Sequence, residues 1–367
     1  DPGRGELSLA QPLALEFSAD GERLFVAANG SRKVADLDSS GRVVDRIEVG
    51  GGPAGLALDE RRGRLYVYHR FDLTISIVEL ASRKVVQTVP LRFNPEPPAV
   101  REGREYLYDG RASGRGDVSC GSCHIFADSD SLAWDLGDPL GTVEPNPLPR
   151  VPIQGYEPLK DFHPLKGPMA TMSLRGLKGQ GSMHWRGDRN GGRDAPRSDG
   201  LAFLAFRPFF RSLLGRPEEL PLPAMEKLRD FVLTIRYPPN PIAQLDGTLT
   251  PMESAGKEIF DSRGSRDGLG GDGNACGDCH ALPTGADGRG AFITLPQDFK
   301  VPHLRGLYAR VGMFGFSLPD IEREAPFTLS PAPTPHLGHQ VRGFGFLHEG
   351  AVPTLFNFFR LMTRDFT

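Results

Sequence analysis

The chain is almost without cysteine. It has four in 367 residues, all within two short motifs, Cys120-Gly121-Ser122-Cys123-His124 and Cys276-Gly277-Asp278-Cys279-His280. None is left for a structural disulfide. An excess of charge of either sign is lacking too. Forty-three basic residues stand against 46 acidic ones, for a net charge of −3, which leaves no electrostatic footprint for nucleic acid or for an anionic membrane surface. No apolar run is long enough to span a bilayer. The opening residues, Asp1-Pro2-Gly3-Arg4-Gly5, are not followed by the apolar segment of a secretion signal. What is plentiful is glycine, 45 residues, and proline, 33, which points to long ordered loops. A chain of this length suggests two or three domains.

Residues 10–91 contain an internal repeat. Pro12 and Pro53 are 41 residues apart, as are Leu24-Phe25-Val26 and Leu65-Tyr66-Val67. Each unit reads as a short apolar strand (Ala14–Phe17, Gly55–Leu58), a charged turn and a second strand. A third strand then holds Val34–Leu37 or Ile75–Val78, and a fourth spans Arg42–Ile47 or Lys84–Val89. Four strands at a spacing near 40 are the signature of a propeller blade, and the repeat resembles the YVTN family of seven-bladed propellers. Two blades cannot close a ring, so further blades are expected from the same precursor or from another chain. His69 is expected at the blade surface.

Beyond the Pro-rich joint Phe93-Asn94-Pro95-Glu96-Pro97-Pro98 the character changes. A short amphipathic helix is expected over Val100–Tyr108, then a Gly/Ser loop and the first CxxCH. A second joint at Tyr237–Pro241 precedes a helix-like stretch, Ser254–Phe260, and the second CxxCH. In a CxxCH motif two thiols three residues apart reach the two vinyl groups of one haem, and the adjacent histidine lies under the iron. One chance CxxCH at this composition has a probability on the order of one in a thousand. Two copies therefore argue against a zinc site or a dithiol redox pair, and for two covalently bound c-type haems. Cys120, Cys123, Cys276 and Cys279 are the attachment points, with His124 and His280 as proximal ligands. Such attachment requires export, so a periplasmic or otherwise exported protein with its leader removed is expected. Leu174-Arg175-Gly176-Leu177 and Leu304-Arg305-Gly306-Leu307 extend the duplication, each shortly after a Lys and a Pro (Lys166, Pro168; Lys300, Pro302). The expected organisation is a partial β-propeller of two four-stranded blades (1–97), followed by two mainly α-helical cytochrome c-type haem domains (98–237 and 238–367).

The segment Gly167–Gly176, followed by His184-Trp185-Arg186-Gly187-Asp188, resembles the di-haem cytochrome c peroxidase and MauG family, over about residues 98–367. The resemblance implies a distal histidine at His163, upstream of Gly167-Pro168, and a tryptophan between the haems at Trp185. His184 competes as the distal ligand. For either, the alternative is a histidine bonded to a haem propionate or a carbonyl. The resemblance also implies histidine–methionine ligation of the second haem, with Met313 favoured for its Gly-flanked loop and Met362 as the competitor. Core packing is the alternative for both. The family's distal acidic residue could fall at Asp188, Asp194 or Asp199, and no motif marks one of them. A Ca2+ ion between the haem domains is a further expectation. So are a small electron donor, a cytochrome c or a cupredoxin, and hydrogen peroxide or another small-molecule substrate. His124 to Arg175 spans 51 residues and His280 to Arg305 only 25. The longer loop can house a displaceable ligand, which makes the first haem the expected reactive one and the second the electron-entry one. A di-haem electron carrier without a catalytic site is the other reading.

Overall fold

The computed structural model describes residues 2–139, 141–149, 160–190, 198–241, 243–262, 275–286, 288–291, 297–312, 342–343, 345–352, 354–355 and 358–359. Eight strands form the N-terminal part: β1 (Pro12–Phe17), β2 (Arg23–Ala28), β3 (Lys33–Asp38), β4 (Val43–Glu48), β5 (Pro53–Asp59), β6 (Arg64–His69), β7 (Thr74–Glu79) and β8 (Lys84–Pro90). They make two four-stranded antiparallel sheets, each in simple sequential order. The 41-residue repeat holds at the level of register. Leu24 faces Leu37 and Leu65 faces Val78, and a bulge recurs at Pro12/Ala14 and at Pro53/Gly55.

Alternation along the strands aims Phe25, Val34 and Ile47 of one sheet at Leu65, Val67 and Val78 of the other, where they form one buried cluster. Buried Asp36 binds Arg23 of its own sheet and Arg83 of the next, at 2.5 and 2.8 Å. Leu13, Leu15 and Phe17 point the other way along β1 and are 54%, 61% and 62% exposed. The expectation for His69 is overturned, because it is completely buried. Period-two alternation places it on the same face as Leu65 and Val67. Its Nε2 accepts the Gly50 N–H (3.2 Å), and Nδ1 meets Thr74 Oγ1 (2.7 Å). A side chain at Gly50 would collide with the ring.

The helices are α1 (Pro98–Tyr108), α2 (Cys120–Cys123), α3 (Asp199–Leu204), α4 (Phe209–Ser212), α5 (Leu222–Val232), α6 (Pro251–Ser262) and α7 (Cys276–Cys279). Short strands β9 (Ala133–Asp135), β10 (Pro168–Ala170), β11 (Gly290–Ala291) and β12 (Phe299–Lys300) pair as two antiparallel ribbons, β9 with β10 and β11 with β12. No described helix is long and apolar enough to cross a membrane. The chain divides into two compact units, Asp1–Ala127 with Leu204–Thr234, and Asp128–Phe203 with Ile235–Thr367. This partition cuts across the 98–237 stretch, since α1, α2, α4 and α5 group with the blades.

Within the first unit α1 crosses α5 at Gly103, where an added Cβ would lie 2.1 Å from Lys227 O and 2.5 Å from Phe231 Cβ. Leu107, Met225, Leu228, Phe231 and Val232 are buried in this unit. The blades hold α1 through charge. Arg32 forks onto both oxygens of Glu105 at 2.6 Å, and Arg104 onto both oxygens of Glu96 at 2.6 and 2.9 Å. Such two-point pairing fixes orientation as well as proximity.

Candidate functional site

The two CxxCH motifs fold the same way. Each is a single helical turn, and its third residue reaches back to the N–H before the first cysteine. Ser122 Oγ accepts from Ser119 N (3.0 Å), and Asp278 Oδ2 from Ala275 N (2.7 Å). His124 and His280 then leave the helix with nearly equal backbone angles, φ −85° and −95°, ψ 65° and 61°. Their N–H groups close the turn onto Cys120 O and Cys276 O at 2.9 and 2.8 Å. The cysteines are not disulfide-bonded. Burial pushes the Cys120 thiol up to about 11, opposite to the depression that a dithiol redox catalyst requires. Among the described residues, no group of three or more His, Cys, Asp or Glu is drawn together as a metal cage.

His280 has a defined tautomer. Its Nδ1 lies 2.9 Å from Gly285 O and 3.0 Å from Pro302 O. Carbonyl oxygens only accept, so Nδ1 carries a hydrogen, and in the neutral ring the lone pair sits on Nε2. A neutral imidazole whose Nδ1 is held by backbone in this way has Nε2 available as a metal ligand. In the first unit, Gln11 Nε2 at the start of the blades donates to Ser119 Oγ at 2.6 Å, directly before Cys120.

The second unit contains a structural duplication deeper than the sequence indicates. Met183 pairs with Arg189 and Phe346 with Val352, closing two equal loops. His184 and Leu347 are both in the left-handed region (φ 72° and 65°), as are Gly187 and Gly350. Trp185 and His348 therefore occupy equivalent positions. The two copies interlock: Lys300 N donates to Trp185 O at 3.0 Å, and Ala170 N to His348 O at 2.6 Å. Lys300 is thus the counterpart of Ala170. The Lys/Pro pairs that precede each Leu-Arg-Gly-Leu are not equivalent in space. Tyr237 lies between the two elements. Added Cβ atoms at Gly176 and Gly306, both at positive φ, would meet its ring at 2.7 and 3.0 Å. Its hydroxyl is 3.4 Å from His303 Nε2. Burial raises the phenol and pushes His303 down to about 4.

Trp185 is buried with Met169, Ala170 and Phe299. Its Nε1 donates to Ala170 O at 2.8 Å, and the Arg310 guanidinium lies 5.3 Å from the ring centroid. His184 places Nδ1 2.7 Å from Asp188 Oδ1, while Arg186 takes Oδ2 at 3.1 Å. Burial opposes ionisation of Asp188, but His184, Arg189 and Arg186 outweigh it and hold the carboxyl far below the usual range. His163 is exposed, with Nδ1 accepting from Leu165 N at 3.1 Å. Asp199 spends its oxygens on Gly179 N and Gly181 N, at 2.6 and 2.7 Å. Met313, Met362 and Asp194 lie outside the described residues. Sequence reasoning missed Tyr237, Arg310 and the role of the Pro302 carbonyl. The Tyr237-Pro238 joint was the available signal for the first, and no motif marks the others.

No protein-family profile matches the chain, and no curated protein does. Solved structures match in part. The hydrazine synthase of Kuenenia stuttgartiensis aligns at 21% identity over 22% of this chain and 23% of its own, with a TM-score of 0.21. The Cps50 (Swd1) β-propeller domain of Myceliophteria thermophila aligns at 14% over 23% and 25%, TM-score 0.21. Apo AztD from Citrobacter koseri aligns at 13% over 23% and 25%, TM-score 0.21. The chain thus spans about a quarter of the length of each of these.

Proposed function

We propose that the chain is an exported di-haem c-type cytochrome of the di-haem peroxidase and MauG type. It reduces hydrogen peroxide, or oxidises a substrate as MauG-like proteins do, with electrons passed from the second haem to the first. The observation that carries the reading is the pair of CxxCH turns with matching caps and backbone angles, with His280 Nδ1 held by two backbone carbonyls. Cys120 with Cys123, and Cys276 with Cys279, would form the thioethers. His124 and His280 would be the proximal ligands. When bound, haem supplies an iron that exchanges single electrons and, where a coordination position is open, reacts with peroxide. The chain's own residues fix imidazole orientation, bury Trp185 against Arg310 and hold Asp188 ionised. His163 or His184 at the first iron, Met313 or Met362 at the second, a Ca2+ ion and a small redox partner protein all belong to this proposal.

The second reading, an electron carrier with no open iron, is favoured by one fact. Asp188 and Asp199 are both committed to fixed partners, which leaves neither ready to serve as the distal acid–base group. The mass of the denatured chain tests the common part, since thioether-linked haem survives unfolding. Two haems are expected, and one in Cys123→Ala. A mass without added haem refutes both readings. Cyanide titration separates them: binding at the His124 haem supports the enzyme, binding at neither haem in any redox state supports the carrier, and binding solely at the His280 haem reverses the assignment.

A further inference from the structure

The chain holds two tryptophans, and their indoles stand in opposite electrostatic settings. Trp185 is 7% exposed. The Arg310 guanidinium lies 5.3 Å from its ring centroid, and its Nε1 donates to a neutral group, Ala170 O, at 2.8 Å. Trp134, on β9, is 41% exposed, and its Nε1 donates to the carboxylate of Asp130 at 2.8 Å. An indole that gives up an electron becomes a cation with an acidic N–H. At Trp185 the Arg310 charge opposes that cation, and a backbone carbonyl cannot keep the proton. At Trp134 the Asp130 charge offsets the cation, and the carboxylate can take the proton. Of the two, Trp134 is the ring built to be oxidised.

Trp134 is also joined to the second cysteine motif. Met169 of β10 is its cross-strand partner and is buried in one cluster with Trp185. Directly opposed residues share a face of the ribbon, with Cβ atoms about 4.5–5.5 Å apart. Trp185 O accepts from Lys300 N at 3.0 Å, and two residues on, Pro302 O accepts from His280 Nδ1, also at 3.0 Å. At the surface, Leu132 and Leu136 flank Trp134 at strand spacing and are 48% and 41% exposed. An aromatic molecule can lie on such an edge, and Asp130 favours one that leaves as a cation. We infer that Trp134 is a surface oxidation site, at which an aromatic amine gives up one electron. The inference rests on the di-haem reading above for its oxidant, an iron centre oxidised by hydrogen peroxide. Trp134 passes one electron inward by way of Met169 and Trp185, and its Nε1 proton moves to Asp130. The amine then gives one electron to the indole radical, the proton returns to Nε1, and the amine leaves as a radical cation. Two such turns supply the two electrons that one peroxide takes, and solvent supplies the two protons.

The test uses the purified full chain with its haems attached and has two arms. In the first, a photogenerated ruthenium(III) polypyridyl complex in solution is the oxidant, so no haem chemistry is needed. Electron paramagnetic resonance reads the tryptophan radical, and mass mapping of oxygenated tryptophan reads its position. The radical should sit on Trp134 and vanish in Trp134→Phe. Asp130→Asn keeps a neutral acceptor and should lower the yield about fivefold. An equal yield in Asp130→Asn overturns the inference. In the second arm hydrogen peroxide is added with tetramethylphenylenediamine as the amine. Without the amine, oxygenation should map to Trp134, and with it the amine radical cation should form instead. Trp134→Phe should slow amine oxidation about tenfold, with haem mass and cyanide titration unchanged. Peroxide consumed with Trp134 unmodified, or amine oxidised at the natural rate in Trp134→Phe, overturns the surface site and leaves the haem reading standing. A haem-loaded chain that consumes no peroxide overturns the peroxidase reading, and with it the oxidant on which the inference rests.

Discussion

His69 shows how burial turns an ordinary residue into a pH liability. Its ring is enclosed by the blades, and burial lowers its pKa below the usual 6.5, with Asp72 opposing and Arg32 adding a smaller push in the same direction. The folded state therefore binds its proton less readily than the unfolded one. The stabilisation is fully present above about pH 6.5 and is lost as pH falls from there toward the depressed folded value, with a slope of at most about 1.4 kcal/mol per pH unit. Melting temperatures measured from pH 8 to 5 should fall more steeply for the natural chain than for His69→Gln, and equal slopes would remove His69 from the account. Trp185 is the second residue to test. Trp185→Phe loses the indole bond to Ala170 and weakens the Arg310 contact, yet keeps most of the buried area. On the proposed di-haem reading, flash reduction should show slower exchange between the haems with both spectra nearly unchanged. At this scale the sequence was informative where chemistry is contiguous. A CxxCH announces itself because thiols and imidazole must be adjacent. Pro302 as partner of His280, or Arg310 over Trp185, joins residues that only the folded chain brings together.

Among the elements, the blades were the most legible, because period-two alternation and a 41-residue repeat both leave marks in composition. Helix α1 was expected from Val100 and starts at Pro98, since proline is well placed in a first helical turn. The ribbons β9–β10 and β11–β12 were not foreseen. Strands of two or three residues are too short to show a period, and their pairing is set by distant partners. The Leu-Arg-Gly-Leu repeat was visible, but not its purpose of clasping Tyr237. The crossing of α1 and α5 was equally hidden, because Gly103 reads in sequence as a weak point in a helix. In space it is the position where a neighbouring backbone needs room. Gly103→Ala should gain helix propensity of about 1 kcal/mol and lose more through the clash with Lys227 and Phe231. A net destabilisation of ~1–3 kcal/mol is expected in urea denaturation. A stabilised variant would mean that the helices do not touch there.

On the scale of the whole molecule, sequence divided the chain at changes of composition, after residue 97 and after residue 237. Contacts divide it elsewhere, and the first unit joins the blades to α1, the first CxxCH turn and α5. The reason is polar pairing between residues far apart in the chain. Arg32 with Glu105 and Gln11 with Ser119 cross the Pro-rich joint, and Glu96 within it takes Arg70 from the blades and Arg104 from α1. Composition reports where the chain changes texture and is silent on which textures adhere. A chain starting at residue 98 should therefore show faster proteolysis within 98–127 and, on the proposed di-haem reading, retain haem at Cys276 and Cys279 but carry less at Cys120 and Cys123. Limited digestion with mass mapping would read both, and unchanged protection of 98–127 would show that the blades are dispensable to it.

The bond from Gln11 to Ser119 also bears on how such a protein could be rearranged by recombination. A crossover in the segment 93–98 looks harmless on the page, since it falls between a β region and a helical one. It would nonetheless separate the residue that steadies the first cysteine turn from the turn itself, and the newcomer would inherit a CxxCH with one wall missing. A seam between residues 127 and 128 keeps the blades with the first motif but parts α1 from α5. Blades, first cysteine turn and α5 would pass from one lineage to another intact only if Leu204–Thr234 travelled with them.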